Sequence, residues 1–136
     1  MCVRVCDDVC AGMHGNVDAV RSWVASGADI NVVDGRGDTP LMGASHGLHT
    51  ECVAEMLRLG ADARRVDNGG WTALHWVASS ATRRGDGVGV VRQLVAAGCD
   101  AAVRDNRGHT AVELARTEHG AEWATEFEGW VAAAMA

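Results

Sequence analysis

The chain has no lysine: all 12 of its basic residues are arginines. It has no tyrosine and one phenylalanine, Phe127, so aromatic packing falls mainly on five tryptophans. No apolar run approaches the roughly 18 residues of a membrane span, because Asp, Arg or Gly interrupts every few positions. The N-terminus, MCVRVCDDVC, carries acid where a signal peptide needs an unbroken hydrophobic segment. No phosphate-binding loop is present either, since GDGVGV lacks both the Lys-Ser/Thr ending and the G-x-G-x-x-G spacing. A net charge of -6, without any Arg-rich block, argues against nucleic-acid binding driven by phosphate neutralisation.

The missing lysine fits two explanations. Ile, Phe, Tyr and Asn are scarce too while Ala, Gly, Val and Arg abound, as a genome rich in G and C would produce. Selection against lysine-directed modification is the other. Five cysteines, Cys2, Cys6, Cys10, Cys52 and Cys99, form an odd set without framework spacing. Free thiols in a reducing compartment are therefore expected, giving a cytoplasmic or nuclear location.

What the chain does have is internal repetition. GADINVVDGRGDTPL starts at Gly27, GADARRVDNGGWTAL at Gly60 and GCDAAVRDNRGHTAV at Gly98, so the phrase returns after 33 and then 38 residues. In each copy an Asp (Asp34, Asp67, Asp105) precedes a Gly by three (Gly37, Gly70, Gly108), and a Thr (Thr39, Thr72, Thr110) follows two later. Between the phrases, Val17, Val20, Trp23 and Val24, and again Cys52, Val53, Met56 and Leu57, have the three-and-four spacing of amphipathic helices. Gly27, Gly60 and Gly98 sit where those helices should stop. The five extra residues of the third unit fall in SSATRRGDGVG, residues 79-89, which reads as a solvated surface loop or a further contact with a partner.

With DTPLMGA, WTALHWVA and GADIN at this period, the chain resembles the ankyrin-repeat family over almost its entire length. The resemblance implies an all-α repeat solenoid, with stacked helix-turn-helix units and β-hairpin arms projecting to one side. The expected domain is 1-136, made of units 1-33, 34-66, 67-104 and 105-136. The first unit has VCDDVCAG in place of the TPLH segment, and the last ends in EWATEFEGWVAAAMA without a following GAD. Terminal units of a solenoid lack one neighbour, so both are read as caps.

Threonine just before a helix can accept a free backbone N–H, which is worth about 1 kcal/mol. Thr39, Thr72 and Thr110 are placed for that role, and TAVE makes Thr110 and Glu113 a capping-box pair. The family resemblance assigns His75 to the same cap, on the threonine hydroxyl or a neighbouring backbone group. A catalytic histidine would leave the recurring threonines unexplained.

No other catalytic arrangement is found. The histidines, His14, His46, His49, His75, His109 and His119, share no motif, and nucleophile, base and orienting acid do not assemble around any of them. Cys2, Cys6, Cys10 and His14 are four apart, but along a helix they spread over about 18 Å, too far for one metal ion. Two of the thiols could still act with a partner's ligands or accept an acyl group, while the simpler reading makes them small hydrophobes on a buried stripe. No cofactor and no metal are expected.

Trp76 lies in the helix run Leu74, Val77, Ala78 and reads as packing against the adjacent unit. Trp71 lies on the arm, where the resemblance implies a concave surface carrying variable, partner-contacting residues. It is a candidate anchor, with folding back onto the hairpin as the alternative. Trp123, Phe127, Trp130 and Val131 read as a core-closing stripe, with Glu118, Glu122, Glu126 and Glu128 as the solvated face of the same last helix.

The expected function is noncatalytic protein binding by a monomer through Arg36, Asp38, His46, Asn68, Trp71, Ser79, Arg104, Asn106, Arg107, His109 and Thr117. The arm stretches 30-38, 63-71 and 101-109 hold five arginines (Arg36, Arg64, Arg65, Arg104, Arg107) against four aspartates (Asp34, Asp38, Asp67, Asp105), a balance that would favour a partner segment with carboxylates. An inhibitor of a specific enzyme such as a kinase is one alternative; a thiol, metal or redox device at Cys2, Cys6 and Cys10 is the other.

Overall fold

The structure is a computed structural model that describes residues 17–33, 35–79 and 87–135. Readings that rest on Cys2, Cys6, Cys10, His14, Asp34 or the centre of the 79-89 loop lie outside the described residues. Seven helices succeed one another: α1 Val17–Ala25, α2 Pro40–His46, α3 Thr50–Arg58, α4 Ala73–Ser79, α5 Gly87–Ala96, α6 Ala111–His119 and α7 Ala121–Met135. They stack in two rows, α2, α4 and α6 in one and α1, α3, α5 and α7 in the other, joined by the pairs α2–α3, α4–α5 and α6–α7.

The repeat in sequence becomes a repeat in packing. Val20, Val53 and Val91 occupy the same phase of α1, α3 and α5, and all three are fully buried. Met56 and Leu94 are similarly matched, as are Leu41 and Leu74 in the other row. Each such side chain contributes about 1.5–3 kcal/mol by leaving water. A single helix pair cannot cover its own apolar face, so the stack forms one continuous core. Trp123, Phe127 and Val131 of α7 close it at the last unit, while Trp130 is half-buried. Cys52 and Cys99 are free and buried, and burial pushes both thiols above their ordinary pKa.

Helix boundaries follow local chemistry. Thr39 Oγ1 accepts the Met42 N–H at 3.3 Å, ahead of Pro40 in the first turn. Thr110 forms a complete capping box: its hydroxyl accepts the Glu113 N–H at 3.3 Å while the Glu113 carboxylate accepts the Thr110 N–H at 3.0 Å. At the other ends Gly27, Gly60 and Gly98 have φ of 102°, 101° and 101°. In the second case Ala61 N–H donates to Met56 O and Gly60 N–H to Leu57 O, the paired bonds that close a helix C-terminus.

Two expectations need correction. The arms are not β-hairpins in the sense of paired strands: among the described residues there is no strand, and each complete arm is a tight turn. Asp67 N–H donates to Trp71 O at 3.0 Å and Gly70 N–H to Asp67 O at 2.9 Å; Asp105, His109 and Gly108 repeat the pattern. Beyond the Asp67–Trp71 and Asp105–His109 bonds, no ladder of paired strands extends among the described residues. Glu118, in turn, belongs to α6 rather than to the last helix, because Gly120, at φ 91°, separates α6 from α7.

Candidate functional site

The turn arms and the row of α2, α4 and α6, the inner row because it faces the arms across this space, enclose an open groove of about 640 Å³, lined by residues of three successive arms together with Trp76 of α4 and Glu118 of α6. Consecutive arms are tied to one another through their backbones. Asn68 N–H donates to Arg36 O at 2.9 Å, and Asn106 N–H to Gly69 O at 3.0 Å. The side-chain amides add Asn68 to Gly35 O at 3.4 Å and Asn106 to Asn68 O at 2.8 Å. Gly37 and Gly70 make this approach possible: a Cβ on Gly70 would lie 2.8 Å from Asn106 Oδ1 and 2.9 Å from Asn106 N.

Trp71 is half-buried rather than a fully exposed anchor. Its indole N–H reaches into the next unit and donates to Asp105 Oδ2 at 3.0 Å. Its ring lies nearly parallel to His75, with centroids 6.2 Å apart, and meets Trp76 edge-on at 4.8 Å. Trp76 in turn packs edge-on against His46 of the preceding unit at 5.3 Å. An aromatic ridge thus runs from His46 through Trp76 to Trp71, and its two tryptophans line the groove.

Asp105 anchors that ridge. Its Oδ1 accepts the backbone N–H groups of Arg107 and His109, both at 2.9 Å, while Oδ2 takes the indole. Burial pushes this carboxyl up, but the His109 and Arg107 amides, with Trp71, outweigh it and hold its pKa below the ordinary value. Asp67 does the same in its own arm, Oδ1 accepting Gly69 N–H at 2.9 Å and Trp71 N–H at 3.0 Å.

His75, 1% exposed, uses both ring nitrogens. Thr72 N–H donates to Nδ1 at 3.1 Å, and Nε2 lies 3.0 Å from His109 O. An amide can only donate and a carbonyl can only accept, so Nε2 carries the proton. Thr72 Oγ1 lies 2.9 Å from Nδ1 and accepts the His75 N–H at 3.4 Å. The imidazole joins two units instead of facing a substrate.

The residues expected at the contact surface divide into two groups. Arg36, Asp38, Asn68, Trp71, Asn106 and Arg107 line the groove. Asp38, however, is only 7% exposed. Outside the lining, Arg104 is held in its own unit by Gly108 O at 2.7 Å and Glu113 Oε1 at 2.9 Å. Thr117 donates to Glu113 O, Ser79 donates to Glu118 Oε2 at 3.0 Å, and His109 has its Nδ1 buried without a hydrogen-bond partner. His46 is exposed beside Trp76.

Asp67, Asp105, Trp76 and Glu118 line the groove but were absent from the expected surface. The repeated Asp at one phase was a visible signal for the first two. The charge balance differs from that of the arms because Arg64, Arg65 and Arg104 lie outside the lining and Glu118 lies within it: the lining carries Arg36 and Arg107 against Asp38, Asp67, Asp105 and Glu118. Among the described residues no three metal-ligating side chains converge, and no helix is long and apolar enough to cross a membrane.

This stack of helix pairs bridged by turn arms is that of a repeat-built interaction module. The profile of the family described as ankyrin repeats (3 copies) matches residues 9–105, and the chain belongs to the ankyrin-repeat family. It is 33% identical over 106 residues to a probable E3 ubiquitin-protein ligase, XBOS34, of Oryza sativa subsp. japonica, covering 76% of this chain and 20% of that one. It is 36% identical over 111 residues to the palmitoyltransferase Hip14 of Drosophila melanogaster, covering 79% of this chain and 16% of that one. The chain therefore spans a fifth or less of the length of these relatives.

Proposed function

We propose that the chain is a noncatalytic protein-binding module whose partner segment lies in the groove between the arms and the inner helices. The observation that carries this reading is the groove of about 640 Å³, in which half-buried Trp71 and Trp76 sit among polar arm residues of three units. Aromatic side chains surrounded by a polar rim are the groups that contribute most when a protein surface is desolvated. The histidine in the repeat motif is occupied by backbone partners, which removes the nearest candidate for general-base chemistry.

An acidic partner segment would have to pair with Arg36 and Arg107 alone among the lining residues. Arg107 is exposed, and among the described residues its guanidinium makes no ion pair. Affinity capture from cell extract tests the reading, comparing wild type with the Trp71→Ala, Arg107→Ala double variant and with Arg107→Glu alone, which leaves the Trp71–Asp105 bond in place. A partner lost from the double variant at unchanged helix content supports it, and the Arg107→Glu variant reports the charge of the partner segment, with loss for an acidic segment and retention or gain for a cationic one. A partner retained by both overturns the location.

A further inference from the structure

The geometry points to a cationic side chain, arginine or lysine, as the group of the partner that seats against the indoles of the groove. This rests on the proposed binding role and deepens it by naming the chemistry the groove takes. Trp71 and Trp76 are half-buried, with ring centroids 4.8 Å apart at 72°. Trp76 Nε1 is buried, so the accessible part of that residue excludes its positively polarised N–H. Trp71 donates its N–H to the Asp105 carboxylate at 3.0 Å. An indole hydrogen-bonded to an anion holds more electron density over its ring, which strengthens attraction for a cation.

The carboxylates around the rings reinforce that preference. Asp67, Asp105 and Glu118 line the same groove, and Glu118 is exposed, with Oε2 held toward Ser79 at 3.0 Å. A neutral apolar occupant would strip water from these charges without replacing it, and an acidic one would add repulsion. A guanidinium or ammonium satisfies both the accessible part of the indoles and the exposed Glu118 carboxylate, while buried Asp105, with both oxygens already hydrogen-bonded, contributes its charge rather than a contact. The arginines of the lining, Arg36 and Arg107, are on the arms, whereas Trp76 and Glu118 come from the inner helices.

The test is an NMR titration of the whole chain, following the indole N–H signals of its tryptophans. The probes are capped heptapeptides of Gly and Ser with one central residue: arginine, lysine, citrulline or glutamate. Citrulline matches arginine in shape but is neutral. The arginine and lysine peptides should shift the Trp71 and Trp76 signals, leave Trp123 unmoved, and bind at least about fivefold more tightly than the citrulline peptide. Glu118→Gln, an exposed and nearly isosteric change, should narrow that ratio, as should added salt. Equal response to arginine and citrulline, or tighter binding of the glutamate peptide, would overturn the inference. The glutamate result would leave the binding role intact and shift recognition to Arg36 and Arg107. Failure of partner capture together with a selective arginine response would instead remove the protein-binding role while keeping the cation site.

Discussion

Trp71 and Asp105 lie 34 residues apart and in different units, yet the indole N–H of one donates to the carboxylate of the other at 3.0 Å. The bond joins the closing residue of one arm's turn to the opening residue of the next, and both residues line the groove. It makes the proposed recognition surface and the stacking of units parts of one structure.

Replacing Trp71 by Phe keeps an aromatic ring and removes the N–H. Asp105, 7% exposed, then keeps a buried oxygen without its donor. The expected loss of stability is about 1–3 kcal/mol, read from urea unfolding. An unchanged midpoint would show that the bond has no structural role.

His75→Ala removes an imidazole that satisfies the Thr72 N–H on one side and the His109 carbonyl on the other. Both groups are left unpaired, and the expected cost is about 2–5 kcal/mol. Thermal unfolding measures it. A variant as stable as wild type would mean that water replaces the ring without penalty.

Gly70→Ala and Gly108→Ala place the same methyl group at the same point of the repeat, at φ of 79° and 82°. Both impose the left-handed strain of a non-glycine residue, about 1–2 kcal/mol. Only at Gly70 does the new Cβ also collide with the following unit, at Asn106; at Gly108 nothing lies within 4 Å. Gly70→Ala should therefore be clearly the more destabilising in equilibrium unfolding. Equal effects would contradict the close approach of the arms.

Glu55 links α1 to α3. Arg58 and Arg21 both donate to its carboxylate, Arg21 Nε at 3.0 Å and Arg58 Nε at 3.2 Å, and these hydrogen bonds lower its pKa from the ordinary 4.5 to about 2. Because the folded-state value is depressed, the contribution is fully present above pH about 4.5 and is lost as pH falls through about 2. Glu55→Gln should flatten the acid limb of the stability profile in that window and leave its shape above it unchanged. An acid limb identical to wild type would show that the pair is not formed in solution.

Much of the architecture was legible because repetition supplies its own control. One glycine or threonine says little, but Thr39, Thr72 and Thr110 at a common phase mark three helix starts, and Gly27, Gly60 and Gly98 mark three ends. The hairpin arms were an implication of the family resemblance, not of the residues themselves. Each complete turn is closed by a backbone bond at its base, with no strand among the described residues beyond it, and Asp67 and Asp105 spend one carboxylate oxygen on the turn amides.

The groove was less legible because it is assembled across units. Counting charge along the arms included Arg64, Arg65 and Arg104, which lie outside the lining, and missed Glu118, which α6 delivers from elsewhere. The tail of acidic residues from Glu118 to Glu128 read as one helix face because Gly120 alone divides it. Likewise, nothing local to Trp71 announces Asp105 as its partner. Only the stacking distance between units does.

The most direct test of the binding account is hydrogen exchange on the complex with a captured partner. Slowed exchange is predicted at residues 35–38, 67–71 and 105–109 and along α4 and α6, with α3, α5 and the exposed side of α7 unchanged. Protection confined to the outer row, with the arms exchanging as in the free chain, would contradict it.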